Sequence, residues 1–399
     1  MKTASKFSGC ITVLALLAVT PARAEEDAAA VVDMTHVGDV LHNARGGLKT
    51  GTGYLDDLRL QATFDLEKLA GLSGGTFFAS GHAVTFGDFG SRYSGEFQAV
   101  SNIDASPAVR LYEAWYQQVL FADPLSLRVG LYDLNTEFDA NEPALLFLNA
   151  SHGIGPDFSQ AGLNGPSIYP VTSLAARLAW QDPSGFTAAF AVLDGVPGDP
   201  AHPKCTAIKL GNGDGALLIG EVDYAWPGGR VGVGGWGYTA RFDDLLATTP
   251  AGPVQRGGNR GAYALASLRV LGDAEATSSI DTFVRVGVAA TSMNPVSTYI
   301  GAGVVGTGLI SSRPEDQVGL SVAIARTGHP FRSAGVLAGA PVTNHETVFE
   351  ATYRAALAPW LTLQPDAQLI VNPGFDPTLR NAVVVGFRFE ISPLALLNK

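Results

Sequence analysis

Residues 361–371, LTLQPDAQLIV, alternate with a period of two. Leu361, Leu363, Ala367, Leu369 and Val371 fall on one side, and Thr362, Gln364, Asp366 and Gln368 on the other. That spacing belongs to a β-strand. The same pattern fills residues 56–69, where Leu58, Leu60, Ala62, Phe64 and Leu66 oppose Asp57, Arg59, Gln61, Thr63 and Asp65. It returns in the last such run, AVVVGFRFEI, with Val383, Val385, Phe387, Phe389 and Ile391 against Arg388 and Glu390. A soluble sandwich would turn the apolar side inward onto a thin core. Many strands with charge on the polar side favour the inverted arrangement, a closed barrel with apolar residues toward lipid and a wet lumen. Closure also leaves no bare backbone edge in hydrocarbon.

The connections keep a rhythm. AGLSG, FADP, DPSG, PGG, DAEATSS, SSRPED and Ala358-Pro359-Trp360 are short, and the connections between these pairs are longer and rich in Pro and Gly. Short periplasmic turns alternating with longer extracellular loops are the mark of an outer-membrane barrel. If AGLSG is periplasmic, the strand before it runs downward, and one earlier upward strand is needed. VLHNARGGLKTG (40–51) can supply it, for a total of about 16 strands. The segment from Asp139 to about Ser173 is then the third extracellular loop. Its length and its Phe, Pro and Gly content suit a loop folded into the lumen as a constriction.

The N-terminus carries Lys2 and Lys6, a short apolar core CITVLALLAV (10–19) and small residues Ala22-Arg23-Ala24. This reads as a secretory signal peptide over 1–24, too short to be a membrane span. Residues 25–39 are expected to be a periplasmic or lumenal segment, 40–391 the barrel, and 392–399 an extension. No later run of 18 apolar residues provides a transmembrane helix. A net charge of −11 with only 16% charged residues argues against a nucleic-acid partner. Gly 47 of 399 suits glycine-rich β structure.

Alternation nominates the lumen-facing residues. They are Asp57 and Arg59; His82, on the side of Thr76 and Ser80; Arg128; Glu346, Glu350 and Arg354; Gln364 and Asp366; and Arg388. In residues 110–118 the face is ambiguous, because Glu113 with Trp115 and Tyr112 with Tyr116 both qualify. Sugars need hydroxyl partners and flat apolar surfaces, which such residues offer. For any one of them the competing reading is a salt bridge that braces the wall and never meets solute. Other motifs lack their context. GAGVVG (301–306) sits inside continuing alternation rather than between a strand and a helix. GLSGG (71–75) leads into another strand, so Ser73 is a turn residue. GNGDG (211–215) lacks the bidentate Glu of a calcium loop. The seven histidines show no metal-binding spacing, so neither metal nor cofactor is expected.

The stretch 345–374 and the NAVVVGFRF after it resemble the C-terminal signature of the carbohydrate-selective porin family, the OprB type. The matching positions are Glu346, Thr347, Glu350, Tyr353, Trp360, Gln364, Pro365, Asp366, Gln368, Asn372, Pro373, Gly374 and Arg388. FDLEKLAGLSGGTFF, AWYQQVL, VGLYDLNTEFDANEPALLFLNASHGIGPDFS and AVLDGVPGDP look like family segments in the family's order. Beyond Phe389 the chain departs from a terminal aromatic and continues EISPLALLNK. The resemblance implies an all-β transmembrane antiparallel barrel with an inward constriction loop. It implies passive, carbohydrate-selective diffusion of small sugars or similar small polar solutes, and it favours Arg110, Glu113 and Trp115 as the lumen set. Outer-membrane lipid surrounds such a barrel, which works as a monomer or a homo-oligomer. The alternatives are a general diffusion porin and an outer-membrane barrel enzyme; the second needs a Ser/His/Asp-like set at the rim.

Overall fold

The computed structural model describes residues 28–121, 124–211, 213–272 and 276–393. The expected signal peptide and most of the C-terminal extension lie outside them. The barrel strands are β1 Ala30–Arg45, β2 Gly51–Asp65, β3 Gly75–Val84, β4 Ala108–Leu120, β5 Leu125–Tyr132, β6 Ser173–Gln181, β7 Phe186–Asp194, β8 Ala216–Trp226 and β9 Gly229–Tyr238. After a separate hairpin, β10 Phe242–Thr249 with β11 Gly252–Arg256, come β12 Arg260–Leu271, β13 Ser279–Ala289, β14 Val296–Thr307, β15 Gln317–Thr327, β16 His345–Ala358, β17 Leu361–Val371 and β18 Ala382–Ile391. Sixteen of these close into one antiparallel barrel, with β9 bonded to β12 and β18 to β1. No helix among the described residues is long and apolar enough to cross a membrane.

The outer face is what alternation dictates. Val284, Val286, Val288, Leu320, Phe349, Val385 and Phe387 all stand exposed on it. Rings pair near the short-turn end, Phe64 with Phe77, Trp180 with Phe186 and Tyr224 with Trp226 at 5.6–6.0 Å. Such rings match the aromatic girdle at a bilayer interface. GAGVVG lies within β14, and Ser73 donates to Glu67 in a turn, so both behave as strand and turn.

Two boundaries differ from expectation. The first strand begins at Ala30, so residues 30–39 belong to the barrel, and 46–50 form the turn into β2. Asp33, Thr35, Val37, Asp39 and Leu41 continue the inward face of β1, a mixed polar and apolar row that hides the alternation from a reading by hydropathy. The RVGVGGWGYTARF run also ends early, at Tyr238. Trp236, Tyr238, Ala240 and Phe242 all enter one buried cluster, so the period of two persists after the strand has turned into loop.

Pro365 stands inside β17, where a missing N–H would normally break a ladder. Pairing with β16 lapses there: Thr352 opposes Asp366 and the next pair is Ala355 with Leu363. That gap tolerates the proline, and Gln364 faces inward by the same alternation as Asp366 and Gln368.

Candidate functional site

Two long connections fold back against the inward faces of the strands. The third, 133–172, leaves β5 and hydrogen-bonds to side chains as far round the barrel as β8, β13, β16 and β17. The second, 85–107, covers β16–β18 and β1. Irregular backbone inside a barrel must have its polar groups satisfied by protein or water. The wall supplies those partners from charged and amide side chains.

Glu346 accepts from Phe97 and Gln98 N–H, both at 2.8 Å, and from Gly374 N–H at 2.6 Å. Glu350 accepts from Leu148 N–H at 2.6 Å and Asn149 N–H at 3.2 Å. Gln364 donates to the Leu146 carbonyl, and Gln368 to the Val100 carbonyl, both at 2.7 Å. Gln368 also donates to Asp366 at 3.0 Å. Arg388 binds Asp39 through two nitrogens and reaches Ser101 and Asn102 of the second loop. Five residues expected to line the pore, Glu346, Glu350, Gln364, Asp366 and Arg388, therefore do point inward, but they are buried behind the loops. For Glu346, Glu350, Gln364 and Arg388 the role of lining is corrected to that of anchors, bonded to loop backbone or, for Arg388, to loop side chains; Asp366 is buried beside Gln368 of its own strand.

The third loop is held equally firmly on the far wall. Arg285 donates to Asp139 from Nε and Nη2, at 3.0 and 2.6 Å, and to Asp157 from Nη1. Asp139 N–H donates to Glu221 at 2.7 Å. Around this pairing lies an apolar core in which Phe138, Ile154 and Phe158 meet Ile219, Trp236, Tyr263 and Leu265 of the wall. Phe158 stacks on Trp236 with centroids 4.9 Å apart. Glycines permit the approach. A Cβ at Gly287 would sit 2.1 Å from the Asp157 carboxylate, and one at Gly319 would sit 2.7 Å from the Phe147 ring. This half of the interior is packed, not wet. His152 is sealed there between Phe147 and Phe283, at 5.0 and 5.6 Å between ring centroids, with no partner for either ring nitrogen. Burial pushes its pKa down to about 3.

The wall from β2 to β6 carries flat side chains, of which Phe78, Trp115 and Arg128 are partly buried and Tyr132 is buried. Phe78 stacks on Trp115 at 5.0 Å, and the Arg128 guanidinium lies 3.9 Å over the Trp115 ring and 5.2 Å from Tyr132. Arg128 donates to Gln117 from Nε and Nη2, and Arg177 donates to the same Gln117 oxygen at 2.8 Å. Glu137, from the third loop, pairs with both arginines, at 3.4 Å to Arg128 and 2.8 Å to Arg177. Glu113 accepts from Trp115 Nε1 at 3.2 Å and from Asp133 N–H at 3.1 Å, which sets the indole's orientation.

A bulge settles the ambiguous face of β4. Ser80 opposes Glu113 while the next residue, Gly81, opposes Leu111, so Tyr112 is an extra residue. Parity switches there. Arg110 faces inward opposite His82, and beyond the bulge Glu113, Trp115 and Gln117 do. Tyr112 is inward as well, with its hydroxyl on Asp133 and its ring 4.3 Å from His82. A bulge of this kind leaves no mark in hydropathy.

The remaining nominated residues divide. Arg59 is 39% exposed at its side chain and Arg354 32%, the latter 3.6 Å from Glu390. His82 and Arg128 are 13% exposed. Asp57 is fully buried under Arg59 and His82, at 2.6 and 3.1 Å. Arg110 is spent on the Pro203 carbonyl of the 195–215 loop and is buried, so it too anchors a loop. Sequence reasoning missed Phe78, Gln117, Arg177 and Glu137. The first three sit at inward positions of their strands and could have been found by extending the alternation. Glu137 could not, because it comes from irregular loop.

The family model for the carbohydrate-selective porins, OprB family, matches residues 49–392. Porin B of Pseudomonas aeruginosa is 23% identical, over 90% of this chain and 86% of its own. The high-pH structure of Pseudomonas putida OprB superposes with a TM-score of 0.82 at 20% identity, over 91% of this chain and 94% of its own. DcaP, an outer-membrane channel of Acinetobacter baumannii, shares the fold at a TM-score of 0.54 and 9% identity, over 91% of this chain and 96% of its own. With the signature residues in place as loop anchors and the family matched across the barrel, this chain belongs to the OprB family of carbohydrate-selective porins and is a porin of the bacterial outer membrane.

Proposed function

We propose that small neutral sugars pass along the β2–β6 wall, in contact with the Phe78–Trp115–Arg128 ladder. The observation that carries this is the contrast between the two halves of the interior. From β7 to β14 the wall is covered by apolar clusters under the third loop; Trp115 packs on the edge of one of them, yet Phe78, Trp115 and Arg128 stay partly exposed, Arg128 at 13%. Sugar oxygens meet the electropositive ring edges there, and hydroxyls bond to Arg128, Gln117 and Glu137. Arg177 and Glu113 hold these groups in place and act as positioning residues. No covalent step is required of a passive channel, and fold and family are those of a channel. In this reading the N-terminal 24 residues are a secretory signal.

The test is single-channel recording of the refolded chain lacking residues 1–24, with glucose added in steps. Saturable reduction of current supports a sugar site on the path. Open channels whose current falls only in proportion to bulk viscosity would leave a general diffusion pore and discard the sugar contact.

A further inference from the structure

Next to the ladder the inner wall has a polar hollow that the anchors and the stacked rings do not use. It is lined by Asp33, Thr35, Arg59, Gln61 and Glu390 over a floor of Val37, with a volume of about 140 Å³. That is room for roughly four or five waters at liquid density, or for the hydroxyls along one edge of a sugar ring. Asp33 and Thr35 belong to β1, Arg59 and Gln61 to β2, and Glu390 to β18. Asp33 is opposite Gln61, and Thr35 opposite Arg59.

Apart from Arg59, whose Nε donates to Asp57 at 2.6 Å, these groups are held by long contacts. Gln61 Nε2 to Asp33 Oδ2 is 3.4 Å, Thr362 Oγ1 to Glu390 Oε2 is 3.4 Å, and Arg354 to Glu390 is 3.6 Å. The short bonds of the loop anchors, at 2.6–2.9 Å, show what this wall does where it is satisfied. Long contacts between half-exposed groups leave donor and acceptor capacity for a third party. The charges are mixed, with Asp33 and Glu390 beside Arg59 and Arg354. A free anion meets carboxylates here and a free cation meets guanidinium groups. A neutral hydroxyl, which both donates and accepts, meets neither penalty.

Position gives the hollow its meaning. Phe78 is opposite Thr63 on β2, and Gln61 lies two residues further along the same inward face. Strand geometry places Gln61 roughly 7 Å along and 5 Å across from Phe78. One pyranose ring on the ladder does not span that distance, whereas the neighbouring ring of a disaccharide does. Resting on the sugar path proposed above, we infer that the Asp33–Thr35–Arg59–Gln61–Glu390 hollow is a second sugar subsite, so that this pore favours disaccharides over monosaccharides.

The test uses glucose and maltose as blockers of single-channel current through the same refolded chain. Wild type is expected to reach half-block at a maltose concentration roughly five-fold below that of glucose, the scale of one or two extra hydrogen bonds to neutral hydroxyls. The Gln61→Ala/Glu390→Gln double variant should bring the two half-block concentrations toward equality. Trp115→Ala should raise both. Migration on unheated gels confirms that each variant folds. A wild type blocked equally by both sugars, or a double variant that keeps the wild-type ratio, overturns the second subsite and leaves the sugar path standing. A wild type blocked by neither sugar overturns the path and the subsite together.

Discussion

Arg388 and Asp39 face each other across the seam where the last strand meets the first, joined by bonds of 2.7 and 2.9 Å. The same carboxylate accepts the Ser101 hydroxyl at 2.6 Å, so closure of the barrel and docking of the second loop share one group. Both charged side chains are buried, Asp39 completely. Removing one partner strands the other in a dry wall, at a cost of roughly 3–5 kcal/mol, whereas removing both together costs far less. Asp39→Ala is therefore expected to lower markedly the temperature at which the compact gel band converts to the unfolded one. Asp39→Leu with Arg388→Leu should recover most of that loss. Equal destabilisation by the single and double variants would show that the pair's worth lies in docking Ser101 and Asn102 rather than in mutual neutralisation.

Glu350 controls the seat of the third loop. Its carboxyl group collects two loop N–H groups, and a hydrogen bond of this kind contributes about 1 kcal/mol. Glu350→Ala is expected to give larger and noisier single-channel current, because residues 148 and 149 lose their hold on β16. Glu350→Gln should fall between, since one amide oxygen still accepts where two carboxyl oxygens did. A quiet current of wild-type size from Glu350→Ala would mean that the Arg285–Asp139 pairing and the apolar core fix the loop unaided.

The strands were legible because their outward faces meet lipid and tolerate little but apolar side chains. Ala108–Leu120 and Ser173–Gln181 were read to their ends for that reason. The start of β1 was not, since its inward row mixes Asp33 and Asp39 with Val37 and Leu41, and hydropathy then shows no clean alternation. The inward direction of Glu346, Glu350, Gln364 and Arg388 was also legible, but their task was not. Alternation says which way a side chain points, not whether water or a folded loop stands in front of it. That depends on contacts such as Glu346 with Phe97 and Gln98, about 250 residues apart in the chain. The anchoring of Arg110 to Pro203 and the bulge at Tyr112 were hidden for the same reason.

Trp115 is the largest ring of the ladder, stacked by Phe78, covered by the Arg128 guanidinium and bonded to Glu113 at its nitrogen. Trp115→Ala is expected to raise the half-block concentration of glucose roughly ten-fold, equivalent to about 1.4 kcal/mol of lost contact. Arg128→Lys should weaken block less, because it keeps the charge and loses the planar fork over the ring. Unchanged block in Trp115→Ala would move the sugar path off this wall.

His152 links the third loop to acid stability. An unfolded imidazole titrates near 6.5, while the buried one titrates near 3. Between those values the unfolded chain binds a proton that the folded one refuses, so the folded state is at full strength above about pH 6.5 and weakens as pH falls toward 3. Phe147 and Phe283 already form an apolar slot, so His152→Phe keeps a flat ring there and removes the titrating group. Carboxylates elsewhere lower the thermal midpoint of both proteins on acidification, and the informative quantity is the difference. On moving from pH 7 to pH 4 the wild-type gel-shift midpoint should fall further than that of His152→Phe. Identical falls in the two proteins would show that the ring finds water or a partner as the loop relaxes, and that its burial contributes nothing to acid sensitivity.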